Sequence, residues 1–133
     1  MSKFSVFFWL CLLMLVGCRT EDTSTTAPVS PTLNPNSAAG RGAILFSGKG
    51  RCATCHTLAE GTIIVGPSLA GIATRAGNRV ENLSTSDYLT ESIIRPDAYR
   101  PPGFEERQMD SSLAKVLTID EVNDLVAFLM TLE

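Results

Sequence analysis

Apolar and polar positions divide the 133-residue chain into three stretches of different character. The first is an apolar run over residues 4–16, broken only by Ser5 and preceded by Lys3. It is too short for a bilayer-spanning helix, which needs about 20 residues, and matches the roughly 7–15 of a signal-peptide core. Residues 1–17 are therefore expected to be an export signal. Over residues 18–37 the chain turns to Thr, Ser and Pro, with Pro28, Pro31 and Pro35 and almost no large apolar side chain. Such a stretch cannot bury enough surface to offset its ordering entropy, and it is expected to be a flexible linker. It would reach about 25 Å as a random coil and about 60 Å fully extended. The remainder, 38–133, carries helical periodicity and is expected to be the folded domain.

Three segments of that domain read as helices. The first, 38–47, follows the cap candidates Asn36 and Ser37 and ends at Gly48. Gly42 and Phe46 share one face of it, and a glycine there permits close approach of another helix at the expense of helix propensity. The second, 86–95, has Ser84 or Thr85 as cap and is stopped by Pro96. Its inner face is mixed: Tyr88, Leu89, Ser92 and Ile93. The third opens on a capping box, Thr118 to Glu121. Ile119, Val122, Leu125, Val126, Leu129 and Leu132 then recur at a spacing of three or four, with Asp120, Glu121 and Asp124 off the stripe. The run Ile63, Ile64, Val65 is β-prone but too short to pair. The fold class is all-α, with three main helices and loops.

Composition narrows the function. The formal charge is −3, which argues against a duplex nucleic-acid binder, since that would need a basic stripe. One histidine excludes sites that require two imidazoles. Only five aromatic residues fall in 38–133: Phe46, Tyr88, Tyr99, Phe104 and Phe128. The protein core is therefore modest, and a large apolar cofactor would help fill it.

The four cysteines are decided by their spacing. Cys52, Ala53, Thr54, Cys55 and His56 form C-x-x-C-H, the attachment signature of a c-type haem. Two thiols three residues apart can add to the two vinyl groups of one porphyrin edge, and the adjoining imidazole is then presented to the iron. A zinc site would need a further ligand pair, which is missing. A thioredoxin-like redox pair would need βαβ surroundings. Cys18 follows Leu15, Val16 and Gly17 where the apolar run stops, and resembles the bacterial lipobox, in which the cysteine is acylated. With Cys11 in the signal, no thiols remain for a structural disulfide. The remaining iron ligand follows largely by elimination: Met1 and Met14 belong to the signal and Met130 reads as a packing residue, so Met109, in the irregular segment 101–113, is the candidate.

Those residues resemble a class I, monohaem c-type cytochrome domain, over 38–132, nearly the whole folded domain. The resemblance implies that Gly42 and Phe46 of the first helix cross Phe128 of the last. It implies that Cys52 and Cys55 carry the haem, with His56 and Met109 as the iron ligands. Gly66, Pro67, Ser68 and Leu69 match the loop after the haem motif, where the Pro67 carbonyl would accept the ring N–H of His56 and fix its orientation. Two departures stand out. Asp110 follows Met109 where the family often has proline, and 38–133 contains no tryptophan to hold a haem propionate. Arg75 and Arg79 are candidates for that role, because guanidinium suits carboxylates.

The expected function is electron transfer. One haem c with His/Met ligation would serve redox protein partners or a respiratory or photosynthetic membrane complex. The domain would be tethered by its lipid on the extracytoplasmic side of the membrane. The alternatives are a fixed haem subunit of a larger membrane complex and, more remotely, a haem enzyme or gas sensor. Charge is unevenly shared: +2 over residues 41–100 and −5 over 101–133.

Overall fold

A computed structural model describes residues 33–133; the export signal, Cys18 and most of the linker lie outside the described residues. In chain order the elements are α1 (Ala38–Ser47), a 3-10 turn (Cys52–Thr54), α2 (Ile72–Ala76), α3 (Thr85–Ile94), α4 (Leu113–Val116) and α5 (Ile119–Leu129). There is no strand among the described residues. The domain is all-α, and α1, α3 and α5 are its three long helices.

Each long helix begins at a side-chain oxygen that satisfies a free backbone N–H. Ser37 accepts from the Gly40 N–H at 3.0 Å, and Ser84 accepts from the Asp87 N–H at 3.1 Å. Thr118 and Glu121 form a reciprocal capping box at the start of α5. α3 stops at Arg95, because Pro96 disfavours a helical residue before it. The two short helices, α2 and α4, have no side-chain cap. At five and four residues they leave too few positions for a periodic pattern to show.

The core is built on the crossing of α1 and α5. Gly42 is buried there, and a Cβ on it would lie 1.9 Å from the Asp124 carbonyl oxygen and 2.7 Å from the Phe128 Cβ. The helices therefore meet backbone to backbone. One turn along, the Phe46 and Phe128 rings sit 5.5 Å apart, tilted by 60°. Ile72, Ala76, Tyr88, Leu89, Val122, Leu125, Val126 and Leu129 complete the buried cluster. The Ala73 N–H donates to the Leu132 carbonyl at 3.0 Å and ties α2 to the end of α5.

Three sequence expectations need correction. Ile119, assigned to the apolar stripe, is 67% exposed, since it opens the first turn of α5 before that helix reaches α1. Asp124, assigned to the polar face, is buried. It lies beside Leu125 against α1, where the Arg41 guanidinium forks onto both its oxygens at 2.6 and 2.7 Å. A carboxylate is tolerated there because it is paired as it is buried. Met130 caps α5 instead of packing within it, and is exposed. Ahead of α1, Leu33 packs against the core.

Candidate functional site

The turn after α1 shapes the C-x-x-C-H motif. Gly50 closes α1 by donating to the Leu45 carbonyl at 2.9 Å. Arg51 then takes a left-handed conformation, φ 52°, which swings the chain into the 3-10 turn. The Cys52 carbonyl accepts from both the Cys55 and His56 N–H groups, at 3.1 and 2.9 Å. The result is that Cys52, Cys55 and His56 all line one cavity of about 260 Å³. Burial raises the Cys52 thiol above its ordinary pKa.

His56 is held by the loop that follows. Its Nδ1 lies 2.8 Å from the Pro67 carbonyl oxygen. A carbonyl can only accept, so Nδ1 carries the proton and Nε2 keeps its lone pair, the tautomer that ligates a metal. Gly66 lies against the ring: a Cβ there would come 2.4 Å from the His56 Cε1. Only glycine leaves room for the imidazole at this position.

Met109, half-buried, lines the same cavity as His56. The walls between are apolar and come from every long helix: Phe46 of α1, Tyr88, Leu89 and Ile93 of α3, and Leu125 and Leu129 of α5. The arginines are differently employed. Arg75 lines the cavity, but its guanidinium already donates to the Ala70 and Ser68 carbonyls and so braces the loop after Pro67. Desolvation lowers its pKa, with Arg79 adding like-charge repulsion. Arg79 also lines the cavity, and its Nε is buried without a hydrogen-bond partner. A buried donor of that kind is costly unless an acceptor meets it. Asp110 lines the cavity too, and its carboxyl lies below the ordinary range because Ser112 hydrogen-bonds to it.

Sequence reasoning passed over the polar residues before Met109. Asp97 accepts from Arg100 at 2.7 Å and from Gln108 at 3.1 Å. Arg107 reaches the Val65 carbonyl at 2.6 Å. The density of arginine and carboxylate over 95–107 was the only available signal, and its pairings depend on the fold.

An apolar cavity bearing two thiols, an imidazole with its Nε2 lone pair free and an unpaired buried guanidinium N–H fits a flat, hydrophobic macrocycle with carboxylate arms. The molecule is thus of the class that carries a covalently attached haem c. A family model described as Cytochrome c matches residues 39–133, and the chain belongs to that family. No curated protein matches the chain. Haem iron supplies a one-electron couple, so the domain is a haem-based electron-transfer protein in which the residues hold, orient and shield the group.

Proposed function

We propose that the domain is a class I monohaem carrier with His56 and Met109 as iron ligands, its haem bound through Cys52 and Cys55. We further propose that a lipid on Cys18 holds it to a membrane on the periplasmic or extracytoplasmic side. There it exchanges electrons with redox protein partners or a respiratory or photosynthetic membrane complex. The observation that carries this reading is the gathering of Cys52, Cys55, His56 and Met109 on one apolar cavity. Ligation by both His56 and Met109 would leave no iron position for a substrate, which favours a carrier over an enzyme. Pro67 orients His56, and Arg79, more than Arg75, offers a free donor to a haem propionate. The tether keeps the carrier at high effective concentration near its membrane partners.

A potentiometric titration with redox-difference spectra, made on detergent-extracted native protein, tests the carrier. One reversible one-electron wave is expected, with the sulfur–iron charge-transfer band in the oxidised state, and Met109→Ala abolishes the band. Rapid carbon monoxide binding by the native reduced protein would overturn it in favour of an enzyme or sensor. Labelling cells with a radioactive fatty acid tests the anchor: the label is expected on the wild type and absent from Cys18→Ala. Co-elution with other subunits in fixed stoichiometry would make the domain a subunit of a larger complex.

A further inference from the structure

In the segment that carries Met109, Phe104, Arg107, Gln108 and Met109 line the cavity. Pro102, Gly103, Glu105 and Glu106 are exposed and do not line it. The segment is tied down by hydrogen bonds on the two residues just ahead of the methionine. The Gln108 side-chain amide donates to Asp97 Oδ2 at 3.1 Å. The other oxygen of Asp97 accepts from Arg100 at 2.7 Å, and Arg100 reaches on to the Glu105 carbonyl at 2.8 Å. This bracket fastens the segment to the end of α3.

The second bracket runs in another direction. Arg107 lies over the Phe104 ring, 5.4 Å from its centroid, and donates to the Val65 carbonyl at 2.6 Å. The Val65 and Gly66 N–H groups both donate to the Cys55 carbonyl, at 3.2 and 2.9 Å. The next residue, Pro67, supplies the carbonyl bonded to His56. A short chain of hydrogen bonds thus joins the backbone that orients His56 to the residue two places before Met109.

We propose that Asp97 and Arg107 are positioning residues for the Met109 thioether, and that Arg107 couples the placement of the two axial ligands. This rests on the reading of Met109 as iron ligand. The physical reason is that a thioether is a weak, neutral donor, and its hold on iron depends on the loop returning it to the same place. A charge-assisted hydrogen bond to Val65 and a carboxylate anchoring Gln108 make that return quick.

The test uses the holoprotein and an external ligand, imidazole, which replaces the thioether only while the loop is open. Arg107→Ala and Asp97→Asn are each expected to speed imidazole binding by about tenfold, the change that loss of one charge-assisted hydrogen bond supports. Both are expected to weaken the sulfur–iron charge-transfer band and lower the reduction potential. Lys49→Ala, which removes a distant ion pair to Glu121, serves as the control for general loosening and is expected to leave the rate unchanged. An equal acceleration in Lys49→Ala would overturn the proposal, as would wild-type rates in both loop variants. Met109→Ala separates the two levels of the argument. If it keeps the band, the ligand assignment fails; if it loses the band while Arg107→Ala and Asp97→Asn behave as wild type, only the positioning role fails.

Discussion

The α1–α5 crossing and the 96–110 segment hold opposite ends of the same problem by different means. The crossing is a packing solution: backbone contact at Gly42, the Phe46–Phe128 ring pair, and one carboxylate, Asp124, neutralised in place by Arg41. The Met109 segment is a polar solution, with exposed side chains tied by Asp97, Arg100, Arg107 and Gln108. Packing resists deformation in every direction, because close-packed atoms cannot be compressed. Hydrogen bonds at a surface resist only along their own axes and compete with water. The crossing should therefore govern whether the domain folds, and the segment should govern how its distal ligand behaves.

The sharpest way to break the scaffold is Gly42→Val. A branched side chain cannot fit where even a Cβ falls 1.9 Å from the Asp124 carbonyl oxygen, so denaturant titration should show a loss of more than about 5 kcal/mol, near the whole stability of a small domain. Phe128→Ala should come next, at about 3–5 kcal/mol in the same measurement, since the ring is buried against Phe46. Thr118→Ala removes the cap of α5 and should lower stability by about 1 kcal/mol, read as a shifted thermal midpoint.

On the other side of the comparison, Arg100→Ala should change unfolding free energy by no more than about 0.5 kcal/mol. It should nevertheless speed amide hydrogen exchange through 101–108, where Arg100 grips the Glu105 carbonyl. A loss as large as that of Phe128→Ala would erase the distinction. The smallest effect concerns acid. Glu121 sits below the ordinary carboxylate value of 4.5, chiefly through its hydrogen bond to Lys49 and then through the Thr118 N–H. A lowered folded pKa means that its contribution is complete above 4.5 and fades as pH falls through the lower folded value. Glu121→Gln should therefore be less stable than the wild type near neutrality, with the two midpoints converging in acid.

The same division explains what the sequence made legible. Capping oxygens at Ser37, Ser84 and Thr118, the stop at Pro96 and the stripe of α5 are local signals; they located α1, α3 and the start of α5 within a residue, while the stripe ran on to Leu132, three positions past the last residue of α5. The C-x-x-C-H motif is equally local, since both thiols and the imidazole sit within one turn. Asp124 was misplaced because periodicity sees an acidic residue and not the Arg41 fork that comes 83 positions away to meet it. The brackets on Arg107 and Gln108 were invisible for the same reason: Val65 is 42 positions from Arg107, and no pattern along the chain encodes that meeting. The bonds from Arg75 to the Ala70 and Ser68 carbonyls were equally silent along the chain, as a guanidinium near a cavity can serve the backbone as well as a ligand.

Gly42 also bears on speed. An electron carrier must alter its charge without altering its shape, because every atom that moves with the electron adds to the reorganisation barrier of the transfer. Where two helices touch through their backbones, as at Gly42, no side chain intervenes to repack, and the close approach resists a change in the spacing of α1 and α5. Phe46, Leu125 and Leu129, which stand on those helices and line the cavity, inherit that fixed spacing. A single missing side chain thus serves the kinetics of the cofactor by stiffening one wall of its cavity.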